Sequence, residues 1–158
     1  MSESLVVSPL AQHREYLPLL ASWFLQEWPA WYGQADRGNA TNDLRTFAAS
    51  ETALPTGLIV FREGQPIGVG ALKAESFPTH KHLCPWAAAG FVLPAHRGHG
   101  VGAALLQGLA QKAWALGYSH IYCGTTTSAS LPRRCGWAEL ERIEHEGKSL
   151  AIFEKAAA

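Results

Sequence analysis

The sequence predicts a mixed α/β fold, a central mixed β-sheet of six to seven strands flanked by about four helices, and three observations carry that expectation. Strand-like and helix-like patterns follow one another in the order β-α-α-β-β-β-α-β-α-β-β. Two pairs of β-rich runs, at 57–73 and 138–154, each fold back around a glycine, Gly64 and Gly147. The third observation is the central stretch Trp86 to Gly117, where an apolar run, a glycine-rich turn and a helical pattern succeed one another. At 158 residues, 47% hydrophobic and 16% charged, the chain has the length and composition of one globular domain over residues 1–158.

Taken in order, Leu5 to Val7 is a short β-branched run ended by Ser8-Pro9. From about Ala11 to Trp28, the residues Tyr16, Leu17, Leu20, Trp23, Phe24 and Trp28 fall at helical spacing. An interior proline costs a helix about 3 kcal/mol, so this one is expected to start close to Pro18 or to kink there. Trp23, Trp28, Trp31 and Tyr32 read first as core and second as the wall of an acceptor pocket. After a polar loop from Gly33 to Asn42, Thr41-Asn42-Asp43 is a capping signal for a helix over Leu44 to Ser50. Gly57 to Arg62 and Pro66 to Lys73 form a hairpin through a three-residue turn, Glu63-Gly64-Gln65. Residues 74–85 are irregular and carry Glu75, His80 and His82. Beyond the central stretch come a strand over Ser119 to Gly124 and a polar turn, Thr125 to Ser130, whose hydroxyls cap a short helix. A hairpin of Ala138 to Glu144 with Ser149 to Glu154 closes the chain.

The central stretch carries the chemistry. Arg97-Gly98-His99-Gly100-Val101-Gly102 removes three side chains where the chain turns into a helix, so backbone N–H groups there are open to a ligand. The first N–H groups of a helix lack internal partners and carry the positive end of its dipole, which together favour an anion such as a diphosphate. A tight turn made only for packing is the other reading of the same glycines. Two known phosphate loops fail on residue type. A P-loop needs Gly-Lys-Ser/Thr, and no lysine lies between Lys81 and Lys112. A dinucleotide fingerprint needs an acid about 20 residues on, and no Asp or Glu lies between Glu75 and Glu139.

Composition narrows the partners. Thirteen basic and thirteen acidic residues leave no net charge, so neither nucleic acid nor an anionic membrane is expected. Cys84, Cys123 and Cys135 lack C-x-x-C spacing, which points to reduced thiols and no metal site. The N-terminal residues lack a basic region before a long apolar core, so a soluble, cytoplasmic chain is expected.

Arg97, Gly100 and Gly102 match the motif R/Q-x-x-G-x-G/A, and on these residues the chain resembles the GNAT superfamily of N-acetyltransferases. The resemblance covers roughly residues 55–155. Pro85-Trp86 and Phe91-Val92 resemble that family's fourth strand, Ile121-Tyr122-Cys123 its fifth, and Leu131 to Trp137 its closing Y-x-x-x-G-F/W motif. One position departs: Pro132 stands where the family usually has tyrosine.

The resemblance implies an acyltransferase with acetyl-CoA as co-substrate and no metal. The backbone of Phe91 and Val92 would pair with the pantetheine arm, while Arg97, Gly98, His99, Gly100, Val101, Gly102 and Ala103 would take the diphosphate. The side chains of His96 and His99 read as surface groups. An alkylamine with a pKa of about 10.4 must lose a proton before it attacks, and Glu75 and His82 are the candidate general bases, with His80 between them. The family's tyrosine protonates the leaving thiolate; Pro132 has no proton to give, so either the ammonium formed on the product returns its proton, or another residue such as Tyr122 substitutes, or the enzyme is slow, and Tyr122 reads first as a packed strand residue. The partners expected are acetyl-CoA and an amine acceptor, with a homodimer left open. Glu27, Asp36, Asp43 and Glu51 suit a cationic acceptor. The alternative function is an acyl-CoA-binding sensor that has lost the chemistry.

Overall fold

The computed structural model describes residues 5–33, 38–75, 77–125, 130–145 and 147–157. Seven strands are formed: β1 (Leu5–Pro9), β2 (Thr56–Arg62), β3 (Gln65–Lys73), β4 (Trp86–Val92), β5 (His120–Thr125), β6 (Ala138–His145) and β7 (Lys148–Ala156). Five helices accompany them: α1 (Leu17–Glu27), α2 (Pro29–Tyr32), α3 (Ala40–Phe47), α4 (Val101–Ala115) and α5 (Ser130–Arg134). The strands make one mixed sheet in the order β1-β2-β3-β4-β5-β7-β6. All pairings are antiparallel except β4 with β5, which is parallel.

The helix boundaries follow from local chemistry. Pro18 lies in the first turn of α1, where its missing N–H leaves no bond unmade. Pro29 then disfavours the helical region for the residue before it. Trp28 accordingly takes φ −126° and ψ 59°, and α1 ends and the single turn of α2 begins. That extra turn is absent from the predicted order. The second predicted helix starts four residues earlier than expected, at Ala40, because the cap is Asn39, whose side chain accepts from the Asn42 N–H at 3.0 Å. It also ends sooner, at Phe47, and Ser50 instead organises the next turn by accepting from the N–H groups of Thr52 and Ala53. The β2–β3 turn has two residues and not three: Arg62 pairs with Gln65, and Glu63 and Gly64 both take positive φ, 52° and 79°, as a type I′ turn requires. Part of the predicted polar loop (34–37), most of the predicted polar turn (126–129), Glu146 in the last hairpin and the acid Asp36 lie outside the described residues.

Two layers of helix cover the sheet. On one face α1 and α3 bury Leu20, Phe24, Leu44 and Phe47 against Ile59, Val69 and Phe91. On the other, α4 sets Leu105, Leu109 and Ala113 over Leu58, Val60, Leu72 and Ile121. A third cluster, Phe77, Trp86, Tyr122, Leu150 and Ile152, sits beneath the β3–β4 connection. Gly117 ends α4 as predicted. At φ 95° it donates to the Trp114 carbonyl, and Tyr118 donates back to Ala113, which satisfies two carbonyls of the last turn. No helix among the described residues is long and apolar enough to cross a membrane.

Candidate active site

The sheet is open at one seam. Strand β4 is paired with β3 along its length, and β5 with β7, but β4 and β5 are in register only at Trp86 and Tyr122. Between Ala88 and Phe91, β4 takes three steps while β3 takes two, from Ala71 to Val69. The additional residue is a β-bulge, which bends a strand and frees it from one neighbour. Small residues at Ala87, Ala88 and Gly90 leave the space beside it unfilled.

That space is a cleft of about 840 Å³ that passes through the sheet. Leu105, Leu106 and Leu109 of α4 line it from one face, and Glu27, Trp28 and Phe91 from the other. Cys123 and Gly124 of β5 form a side wall, with Leu131 and Pro132 of α5 above them. The glycine turn closes one end. Gly98 and Gly100 have φ of 80° and 83°, the left-handed region in which a side chain is strained. A Cβ on either would meet no atom within 4 Å, so the backbone there lies open. Gly102 has a different reason: its Cβ would lie 3.0 Å from Leu131 Cδ2, so glycine lets α5 approach α4. The first bond of α4 runs from the Ala104 N–H to the Gly100 carbonyl, at 3.0 Å. The N–H groups of Val101, Gly102 and Ala103 therefore have no acceptor among the described residues, at the positive end of a fifteen-residue helix.

Of the predicted cofactor residues, Phe91, Val92, Arg97, Gly98, Gly100, Gly102 and Ala103 all line the cleft. The Val101 side chain instead packs in the core, leaving only its backbone to face a ligand, and His99 is exposed outside the lining. Arg97 is more tied down than a free phosphate-binding arginine. Its Nε donates to the Val92 carbonyl at 2.8 Å, its Nη2 lies 3.4 Å from Glu27 Oε2, and its guanidinium sits 5.4 Å from the centre of the Phe91 ring. The Val92 carbonyl, expected to face a ligand, is thus already engaged.

None of the predicted proton carriers lines the cleft. Glu75 is exposed beyond the end of β3, where its charge helps to raise the Cys84 thiol pKa after the larger effect of burial. His82 is exposed and stacks on His80, with ring centres 5.8 Å apart. His80 is buried, bonded through Nδ1 to Thr79 and through Nε2 to Glu141. Tyr122 packs on Trp86 at 5.6 Å, and burial, with a bond to Glu154, pushes its hydroxyl pKa up. Pro132 does line the cleft.

Sequence reasoning missed Cys123, Leu131 and Arg134 as lining residues, and assigned Glu27 and Trp28 no more than a general acceptor-side role. Only the Trp28-Pro29 pair, which ends α1, could have marked Glu27 as a residue standing at an edge. Burial pushes the Cys123 thiol from 9.0 to about 12, so it is neutral and a poor nucleophile at pH 7. No three His, Cys, Asp or Glu side chains are grouped to hold a metal ion among the described residues.

A family model described as the acetyltransferase (GNAT) family matches residues 17–137. Among solved structures, an aminoglycoside 6′-acetyltransferase type Ii aligns with a TM-score of 0.76 at 12% identity, covering 96% of each chain. An aminoglycoside 6′-N-acetyltransferase complexed with coenzyme A aligns at 0.74 and 11% identity, again over 96% of each chain. The Salmonella typhimurium protein yncA, with its cofactor acetyl-CoA, aligns at 0.70 and 17%, over 99% of this chain and 94% of that one. At these identities the likeness is one of fold. No curated protein sequence matches the chain.

Proposed function

The chain belongs to the GNAT acetyltransferase family, and on that footing we propose that it moves the acetyl group of acetyl-CoA to a primary amine of a small molecule or peptide, by direct attack in a ternary complex. The observation that carries this reading is the parted β4–β5 seam, which runs straight onto the unpaired N–H groups at the start of α4. Those N–H groups suit a diphosphate, and Arg97 adds positive charge beside them. The edge of β4 from Gly90 to Val92, apart from the Val92 carbonyl that Arg97 already holds, suits an extended chain of amides, which pair with an unpaired strand edge as another strand does. Two structural neighbours hold acetyl-CoA or coenzyme A, which supports the same ligand here. Bound there, acetyl-CoA supplies an acyl group activated as a thioester.

The residues around the gap limit how the amine reacts. The diphosphate turn and the apolar side chains of α4 occupy one face, which leaves the α1 face, with Glu27 and Trp28, for the acceptor. Cys123 is the only thiol lining the cleft among the described residues and is held neutral, so the amine attacks the thioester itself and no acyl-cysteine is formed. The proton that the ammonium form gives up before attack passes to water through the open mouth of the cleft, and the one lost from nitrogen as the C–N bond forms and the C–S bond breaks ends on the departing coenzyme A thiolate.

A second reading, an acyl-CoA-binding sensor, is favoured by Pro132, which puts a residue without a proton into the cleft wall. One experiment separates them: coenzyme A titrated by calorimetry, beside thiol release from acetyl-CoA with a panel of amines and the product mass measured. The enzyme binds and releases thiol with a 42 Da gain on the amine, about one acetyl group in place of one proton. The sensor binds and releases none. Absence of coenzyme A binding overturns both.

A further inference from the structure

The end of α1 breaks a local rule. A helix C-terminus carries the negative end of the dipole and favours cations, yet the last turn of α1 has no basic residue and the helix closes on Glu27. Departures of this kind gather at functional sites. Because Trp28 is turned out of the helix by Pro29, Glu27 and Trp28 stand together at the lip of the cleft. Glu27 is the only carboxylate lining the cleft among the described residues, and it lies on the face left for the acceptor. Its ion pair with Arg97 is loose, at 3.4 Å between side chains that are 37% and 48% exposed, while the same guanidinium is anchored to the Val92 carbonyl.

Resting on the acetyl-transfer reading above, we propose that Glu27 is the specificity-determining residue for the acceptor: it takes a second cationic group of the amine substrate, against the Trp28 ring. The preferred acceptors are then di- or polycationic amines. The reacting amine attacks in its neutral form and cannot remain an ion-pair partner, whereas a second ammonium group stays charged throughout. A tryptophan face beside a carboxylate is a favourable seat for such a group. Arg97 links this seat to the cofactor. A diphosphate that draws on the guanidinium weakens its hold on Glu27 and leaves the carboxylate for the acceptor, so cofactor and cationic acceptor favour one another's binding reciprocally.

The test compares a linear diamine with a monoamine of the same chain length in acetyl-CoA thiol release, for the wild type, Glu27→Gln and Glu27→Asp, with coenzyme A affinity measured by calorimetry on each. The wild type is expected to favour the diamine by about tenfold or more in kcat/KM. Glu27→Gln brings that ratio close to one through KM, Glu27→Asp keeps part of it, and coenzyme A binds Glu27→Gln at least as tightly as wild type because a competitor for Arg97 is gone. A ratio near one in the wild type, or one unchanged in Glu27→Gln, overturns the inference while thiol release leaves the acetyltransferase reading standing. A fall in coenzyme A affinity in Glu27→Gln also overturns it. A wild type that binds coenzyme A but acetylates neither amine overturns the inference, and one that acetylates no amine of the panel above overturns both.

Discussion

The two ends of β4 are built in opposite ways. At its first residue, Trp86 is fully buried, in register with Tyr122 on one side and Lys73 on the other. Its Nε1 donates to the Leu83 carbonyl at 2.8 Å, and the Phe77 ring meets it edge-on at 5.3 Å. At the other end Gly90 is exposed, the strand bulges, and β3 is its only strand partner among the described residues. A large aromatic ring locks the sheet shut; four residues later, small side chains let it part. The titratable groups Glu75, His80 and His82 are gathered at the shut end, whereas glycine, backbone N–H groups and apolar walls make up most of the open end, with Glu27, Arg97 and Arg134 as the charged side chains that line it.

The sharpest way to break the contrast is to remove the lock. Trp86→Ala takes away a fully buried indole and its hydrogen bond, and is expected to destabilise the fold by about 3–5 kcal/mol in denaturant titration. A loss below about 1 kcal/mol would show that the shut end is not what holds the seam together. At the open end, Gly100→Trp places a large side chain at φ 83°, beside the unpaired N–H groups. Coenzyme A affinity measured by calorimetry is expected to fall about 100-fold or more, with a melting temperature only modestly reduced. Wild-type affinity in that variant would remove the diphosphate from this turn.

How far the sequence revealed the molecule follows the same division. The glycine turn and the helix after it were legible because a left-handed turn and a helix start depend on residues next to one another. Most strands were placed within a residue or two, for the same reason. The β4 bulge was not legible, since it exists only relative to the register of β3. Nor was the absence of Glu75 and His82 from the cleft lining, where Phe77 and Leu83 pack with Trp86 and Tyr122. Asn39 was passed over because Thr41-Asn42-Asp43 offered a second run of capping residues three positions on. Glu27 was seen only as an acid of the acceptor side, and its place at the lip of the cleft came from tertiary structure.

A smaller effect comes from the buried thiol at the seam. Burial raises Cys123 from 9.0 to about 12, so between those limits the folded chain keeps a proton that the unfolded chain releases. Stability is then full below pH 9 and falls as pH rises, by about 1.4 kcal/mol per pH unit for this one group. Tyr122 and Cys84, both raised mainly by burial, act in the same direction. Cys123→Ala is expected to flatten the slope of stability against pH between 9 and 11 by up to one proton and, under the direct attack proposed above, to leave acetyl transfer intact. An unchanged slope would mean that the thiol ionises freely in the folded chain.

The smallest effect is expected where the sequence alone pointed most strongly to catalysis. Glu75 and His82 are both exposed, and neither lines the cleft. Glu75 acts on Cys84, and His82 rests on His80, which is itself committed to Thr79 and Glu141. Glu75→Gln and His82→Gln should therefore keep kcat/KM within about twofold of wild type from pH 6 to 9, against the loss of about 100-fold or more that removing a general base brings. A loss of that size in either variant, with coenzyme A affinity intact, would mean that Glu75 or His82 reaches the reacting groups during turnover.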